Sequence, residues 1–188
     1  NHPDKEVRET LYNCIAEDKF REAYYPLKKD FHDIKTIFPV GVPGARAGKP
    51  EKKCEKKILS KKISQPIVLL NWWHDNQQQL RKFADDFQNR TGIKIIIKSY
   101  TLAEMNQIFR QVPRPYNLIV IVLDAVRPEH TAFLRPFADK LNGYHDFEIA
   151  NAQALYSQIL LEDDNDRKTA LAIRLADILT REAVVLPL

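Results

Sequence analysis

Aromatic and polar side chains follow three apolar segments of the chain, and their chemistry suits the binding of a small organic ligand. Trp73 and His74 follow the first segment, Tyr100 follows the second, and Asp124 and Arg127 follow the third. Aromatic rings provide surface for stacking, and a carboxylate and a guanidinium provide charge-assisted hydrogen bonds. These five residues are therefore predicted to bind a ligand.

The same residue types give little support for catalysis. None of the five glycines lies in a Gly-rich phosphate loop, and no G-x-S-x-G motif is present. An acidic phosphoryl-accepting pocket needs two acids after the first strand, where only Asp75 is found. The five histidines lack the spacing of a metal site. The sequence thus predicts a protein that is not an enzyme and that uses no metal or other cofactor.

Hydrophobic periodicity predicts the elements that position these residues. Apolar runs of strand length occupy residues 66–72, 93–98 and 116–123. Residues 75–90 have the i, i+3, i+4, i+7 spacing of an amphipathic helix, and a capping box opens another helix at Thr101. Alternation of strand and helix favours a parallel sheet covered by helices. The fold class is predicted as α/β, with a βαβαβ core over residues 66–123.

The position of the candidate residues in this core supports their proposed role. In open α/β sheets, ligands bind outside the carboxyl ends of the strands, where the predicted binding residues would meet.

Gly92 is predicted to end the first helix in a left-handed conformation. Flanking elements are predicted as a helix over 4–25, a Pro/Gly-rich arm over 26–49, a basic helix over 50–62, helices over 130–141, 148–161 and 166–181, and a last strand over 183–187.

These elements are assigned to one domain. Residues 1–65 form its helical and Pro/Gly-rich leading segment, and residues 66–188 form its α/β core. The formal net charge of +4 is too small to indicate nucleic-acid binding by this domain. Lysines cluster within residues 46–62, without an aromatic residue for stacking on bases. This segment is predicted as a solvated helix face or a surface for an acidic partner.

The two cysteines leave two alternatives open. Cys14 and Cys54 fit no metal-binding pattern. If the protein is exported, they are suited to a structural disulfide. Otherwise they are two small hydrophobic residues buried on helices.

No segment reaches the length of a membrane-spanning helix.

Several short motifs resemble, in their order and spacing, the C-terminal lobe of the family 5 extracellular solute-binding proteins of ABC importers. "NHPDKEVRETL" at residues 1–11 resembles the family's N-x-P-x-x-D-x-x-V-R-x-A-L, and "ILTREAVVLPL" at residues 178–188 resembles I-L-A-E-E-A-P-V-I-P-L. Further similar stretches are residues 39–44, 50–59, 80–94, 116–118, 131–134 and 162–168. The resemblance therefore extends over nearly the whole chain.

This resemblance implies one lobe of a type II periplasmic-binding-protein fold, with an N-terminal lobe as its partner outside this chain. It implies a periplasmic or extracytoplasmic protein that closes on a peptide-like or other small solute and delivers it to an ABC transporter permease. Peptide-binding relatives carry a Trp and an Asp where Leu123 and Val126 stand here. The resemblance thus leaves a peptide ligand open, and Asp124 would have to pair with a cationic ligand instead.

Two other functions compete with this one. Some transcription regulators fuse a DNA-binding helix-turn-helix to the same fold, so a ligand-sensing domain of a regulator is the alternative. A small enzyme on a doubly wound sheet would require a catalytic pair at the ends of the strands.

Overall fold

A computed structural model describes residues 1–25, 27, 31–49, 51–54, 63, 65–72, 74–123, 129–138 and 143–188, with His74 described by its backbone. Contacts within the chain divide it into two compact units. The first, called the sheet unit, comprises Asn1–Phe31 and Lys52–Ile121. The second, called the helical unit, comprises His32–Glu51 and Val122–Leu188.

The sheet unit contains a three-stranded parallel sheet. Its strands are β1 (Ile67–Asn71), β2 (Ile95–Ser99) and β3 (Leu118–Ile119), in the order β2-β1-β3. Both pairings of β1 are parallel, which confirms the predicted βαβαβ core and the α/β fold class. The strands are shorter than the apolar runs, because only part of each run pairs with a neighbouring strand.

Two helices connect these strands. The first, here α3 (Gln77–Thr91), buries the predicted apolar stripe that includes Leu80, Phe83 and Phe87. Gly92 ends α3 with φ 77°, and its N–H donates to the Gln88 carbonyl. The second helix, α4 (Leu102–Ile108), opens with the predicted Thr101–Glu104 capping box.

The single helix predicted over residues 4–25 is wrong, because two helices, α1 (Lys5–Cys14) and α2 (Glu17–Tyr24), occupy this stretch. Ile15 and Ala16 between them have extended backbone. The Lys52 ammonium donates to the Ile15 carbonyl at 3.2 Å, which provides a partner for a group that a continuous helix would bond internally. The break lets α2 pack on α3 independently of α1.

A disulfide joins Cys14, at the end of α1, to Cys54, so the structure favours the first of the two cysteine alternatives. The basic helix predicted over residues 50–62 is wrong for residues 51–54, which have no helical conformation. Residue 50 and residues 55–62 of that predicted helix lie outside the described residues. The bridge and the Lys52 contact hold residues 52–54 against the α1–α2 junction.

The helical unit is built from α5 (His130–Ala138), α6 (Ala152–Leu161) and α7 (Asn165–Arg181), which pack on one another. The fully buried side chains of these helices include Leu134, Ile159, Leu175 and Leu179. The helix predicted to begin at residue 148 begins at Ala152 instead, and Asn151 before it has a left-handed backbone conformation. Residues 139–141 of the predicted α5 segment lie outside the described residues.

Residues 32–49 of the Pro/Gly-rich arm belong to the helical unit. Phe38 is fully buried, and its ring contacts the His130 ring edge-on at 4.9 Å between centroids. The His130 Nε2 lies 2.8 Å from the Pro43 carbonyl oxygen. Arg46 binds Asp177 of α7 at 2.5 Å. These contacts give the arm a defined course despite its irregular backbone.

The last strand, predicted over residues 183–187, is wrong. Ala183 has φ 50°, and its N–H donates to the Thr180 carbonyl. The Val184 N–H donates to the Leu179 carbonyl at 3.0 Å. The first residues of the apolar run are therefore used to end α7, and residues 184–188 form no strand with any described residue.

Candidate functional site

The candidate site is the edge of the sheet at which β1 and β2 end, called the carboxyl edge. Its central residues are Trp72, which follows β1, and Tyr100, which follows β2. Asn71 and Ser99 are the last paired residues of the two strands. The Tyr100 N–H donates to the Asn71 carbonyl at 2.9 Å, so the pairing extends to the edge itself.

Of the five predicted binding residues, Tyr100 is the one whose side chain the structure describes, and it lies half-buried at the carboxyl edge. The backbone of His74 begins a short 3₁₀ turn, His74–Asn76, directly after the segment that follows β1. Trp73, Asp124 and Arg127 lie outside the described residues. The meeting of all five side chains in one site therefore stays a prediction.

One face of the carboxyl edge is aromatic. Side chains alternate between the faces of a strand, so Trp72 shares the face of Leu70. Trp72 and Tyr100 both pack on one buried cluster, which consists of Leu70, Met105, Ile108 and Tyr116. Both rings are half-buried, so each keeps part of its surface exposed to solvent. This face can bind a planar or apolar group by stacking and burial.

The opposite face is polar and internally hydrogen-bonded. The Asn71 amide donates to the Asn76 side-chain oxygen at 3.1 Å, and both side chains are buried. Asn76 in turn donates to the Tyr24 carbonyl of α2 at 3.0 Å. Burial raises the pKa of the Tyr24 hydroxyl. The network fixes the 3₁₀ turn that carries the chain from β1 into α3.

Two further contacts involve polar groups of this edge. The Gln77 amide, at the start of α3, donates to the Ser99 hydroxyl at 3.1 Å. The Glu104 carboxylate accepts from both the backbone N–H and the hydroxyl of Thr101, each at 2.7 Å.

In the part of the chain that the structure describes, no group of three His, Cys, Asp or Glu side chains is placed to hold a metal ion.

Sequence analysis missed Leu102, which lies two residues after Tyr100 and is 71% exposed. As the first residue of α4 it lies next to the carboxyl edge. The sequence contained no signal for its exposure, because Leu102 belongs to the apolar set of α4 together with Met105 and Ile108. Sequence analysis also missed the Asn71–Asn76 pair, which becomes evident only when the 3₁₀ turn brings residues five apart together.

The sequence matches no protein-family profile, and no curated protein matches it. Solved structures match it in fold. A substrate-binding protein from Microbacterium hydrocarbonoxydans, solved with 4-hydroxybenzoate hydrazide, matches 98% of this chain and 40% of its own length, with 16% identity and a TM-score of 0.74. The Escherichia coli murein tripeptide binding protein MppA matches 100% of this chain and 40% of its own, with 17% identity and a TM-score of 0.73.

NikA from Brucella suis, solved in complex with Fe(III)-EDTA, matches 100% of this chain and 43% of its own length, with 18% identity and a TM-score of 0.70. The chain thus spans about two-fifths of the length of these structures. At such low identity the likeness establishes the fold. The fold is that of one lobe of the ABC solute-binding proteins, which confirms the resemblance predicted from the sequence motifs.

Among the described residues, no helix combines the length and the apolar character needed to cross a bilayer.

Proposed function

We propose that this chain is a ligand-binding lobe of an ABC-importer solute-binding protein. The match of 96–100% of the chain to such proteins carries the proposal. The proteins of this fold bind chemically different ligands, a peptide in the Helicobacter pylori DppA complex and Fe(III)-EDTA in the NikA complex. The identity of the solute must therefore be sought in the side chains of this chain and not in its fold.

The proposed mechanism is capture between two lobes. Since the chain spans about two-fifths of the matching structures, we propose a second lobe as its partner. A ligand pocket normally covers most of the ligand surface, which one open sheet edge cannot do. Hinge closure of the two lobes would complete the coverage, and release would deliver the solute to the permease of the transporter. No chemical step on the solute is proposed.

The proposed location is periplasmic or otherwise extracytoplasmic. The Cys14–Cys54 bridge supports this location, because disulfides persist in oxidising compartments. Some of the matching structures are described as periplasmic binding proteins. Trp73, His74, Tyr100, Asp124 and Arg127 remain the proposed solute-contacting set, in which Asp124 would pair with a cationic group.

The test is solute binding by the full-length protein. Purified protein would be screened for a rise in Tm with tripeptides, small amines, metal chelates and aromatic hydrazides, and each hit would be titrated by calorimetry. We expect at least one saturable solute at a stoichiometry of one. The 188-residue chain alone should bind the same solute at least about a hundredfold more weakly, because half of the contact surface is missing.

Two results would contradict the proposal. If no solute in such a screen stabilised the full-length protein, binding would not be its function. If the isolated chain bound a hit as tightly as the full-length protein, capture between two lobes would be wrong. A Lys82→Gln variant, changed at an exposed position of α3, serves as the matched control and should bind like the unmodified protein.

A further inference from the structure

We infer that α2 connects the Cys14–Cys54 bridge to the turn that follows β1, so that reduction of the bridge changes the conformation of this turn. The inference rests on the proposed function, because the turn belongs to the candidate site, and it adds a means by which that site is regulated. The contacts that carry it lie within the sheet unit.

The start of α2 is ordered by residues 52–54. The helix has eight residues, which is too short for a stable helix by itself, and its N-cap residue Ala16 makes no capping hydrogen bond. The carboxylate of Glu17, its first residue, binds the Lys52 ammonium at 2.5 Å. The same ammonium donates to the Ile15 carbonyl just before the helix. These contacts provide the order that the start of α2 lacks by itself.

The disulfide holds this segment more firmly than the ion pair does. The side chains of Lys52 and Glu17 are about nine-tenths buried, and the cost of removing both charges from water offsets most of their attraction. The covalent bond from Cys54 to Cys14 restricts the segment without such a cost. Loss of the bridge should therefore loosen the ion pair and, with it, the start of α2.

The bridge is accessible to a reductant from one side. Cys54 is exposed, whereas Cys14 is 3% exposed. A thiolate of a dithiol would attack Sγ of Cys54, the S–S bond would break, and Cys14 would leave as a thiolate that takes up a proton. The second thiol of the reagent then attacks the mixed disulfide and releases Cys54 as a thiol. The dithiol becomes a cyclic disulfide, so its two electrons pass to the bridge.

The middle of α2 is held on α3. The Phe20 ring meets the Phe83 ring edge-on at 5.0 Å between centroids, and the Lys19 ammonium lies 3.6 Å from the Asp86 carboxylate. The ion pair is partly exposed and contributes little, so the aromatic contact is the firmer one. A helix is a rigid element, and one held at its middle passes a movement of its start on to its end.

The end of α2 contacts the candidate site through Asn76. The Asn76 amide donates to the Tyr24 carbonyl at 3.0 Å and accepts from Asn71 at 3.1 Å. Asn71 and Asn76 are at most 1% exposed, so the loss of either bond would leave a buried polar group without this partner. Asn76 is therefore a positioning residue, which ties the turn after β1, and Trp72 within it, to α2.

The experiment uses the full-length protein labelled with fluorinated tryptophan. The fluorine NMR resonance of Trp72 is identified by its loss in Trp72→Phe. Spectra are recorded before and after reduction with dithiothreitol, and far-UV circular dichroism measures the overall fold. We expect reduction to shift the Trp72 resonance by more than its line width, while the far-UV spectrum is retained. Cys54→Ser should show the shifted resonance without the reductant and no response to it.

Asn76→Ala tests the route through α2. This variant keeps the bridge, and its Trp72 resonance should already be shifted in the oxidised protein. Its further response to dithiothreitol should be less than about half of that in the unmodified protein, because coupled changes are not additive. Asn89→Ala removes an exposed amide on α3 and is the matched control. It should respond to reduction like the unmodified protein.

Hydrogen exchange keeps the test valid if Asn76→Ala does not fold. In the unmodified protein, reduction should speed amide exchange over residues 17–24 and 74–80 by at least about tenfold, since both segments open locally. Exchange over residues 165–181 of the helical unit should stay unchanged.

Three results would overturn the inference. They are a Trp72 resonance that does not move on reduction, a full response to reduction in Asn76→Ala, and unfolding of the whole protein by the reductant. None of these measurements needs a solute. A protein that shows the coupling and binds no solute in the screen would therefore lose the proposed function alone, and one that binds a solute without the coupling would lose this inference alone.

Discussion

The ammonium of Lys52 lies 2.5 Å from the carboxylate of Glu17, and both side chains are about nine-tenths buried. The ammonium also lies 4.9 Å from the centre of the Tyr12 ring and donates to the Ile15 carbonyl. Burial lowers the pKa of Lys52, although the carboxylate of Glu17 acts in the opposite direction. The charged lysine is therefore tolerated at this position and not favoured by it.

This pair predicts an asymmetric response to mutation. Lys52→Met should lower the free energy of unfolding by about 3–5 kcal/mol, because the Glu17 carboxylate would remain buried without its cation. Replacing both residues, in Lys52→Met/Glu17→Met, should recover most of that loss. Urea unfolding of the 188-residue chain measures both. Lys53→Met, at an exposed neighbouring position, should change stability by less than about 0.5 kcal/mol, and an equal loss in Lys52→Met and Lys53→Met would contradict the prediction.

The Cys14–Cys54 bridge should contribute to stability through the loop that it closes. The two cysteines are 40 residues apart, so losing the bridge should cost about 2–4 kcal/mol. The measurement is the urea midpoint with and without a thiol reductant. Cys54→Ser should show the same loss and no further response to the reductant. Two free thiols in the denatured protein without reductant would show that the bridge does not form.

Alanine substitution at two glycines of the arm should distinguish the cost of backbone strain from the cost of steric overlap. Gly41 and Gly44 have φ of 96° and 87°, which L-residues rarely adopt. A Cβ on Gly44 would lie 2.6 Å from Cγ1 of Ile173, whereas a Cβ on Gly41 meets nothing within 4 Å. Gly41→Ala should therefore cost about 1–2 kcal/mol from strain alone. Gly44→Ala should cost about 1–3 kcal/mol more from overpacking.

Thermal or urea unfolding of the two alanine variants measures this difference. In the double variant Gly44→Ala/Ile173→Ala, the added loss at Gly44 should shrink, since the overlapping atoms are gone. Equal losses for Gly41→Ala and Gly44→Ala would mean that Ile173 does not approach Gly44 in solution.

His145 should be needed for the folding of the turn after α5. It is 4% exposed, and its two ring nitrogens each lie 2.8 Å from a carbonyl oxygen, those of Phe137 and Phe147. His145→Leu would leave both carbonyls without this partner, at a cost of about 1–3 kcal/mol. The free energy of unfolding in urea is the measurement. His32→Leu, an exposed histidine of the same unit, should be nearly neutral, and a neutral His145→Leu would refute the prediction.

Local rules were sufficient for the elements whose signals lie within a few residues of sequence. The stripe of Leu80, Phe83 and Phe87 predicts α3, because a helix brings residues three and four apart onto one face. Thr101 and Glu104 predict the start of α4 by the same local geometry. The parallel sheet also followed from the sequence, since short strand–helix–strand connections leave few other topologies.

Tertiary contacts determined what local rules could not. The apolar run after α7 has strand composition, yet Ala183 and Val184 cap the helix, and the described residues offer no strand for pairing. At the helix break, the Ile15 carbonyl accepts a hydrogen bond from Lys52, a residue far away in sequence. The packing of Trp72 and Tyr100 on one buried cluster likewise requires the β1–β2 register, because residues 28 positions apart become neighbours only through strand pairing. Sequence therefore determined the local elements and the fold class, whereas helix ends, the bridge partners and the make-up of the candidate site depended on long-range contacts between distant residues.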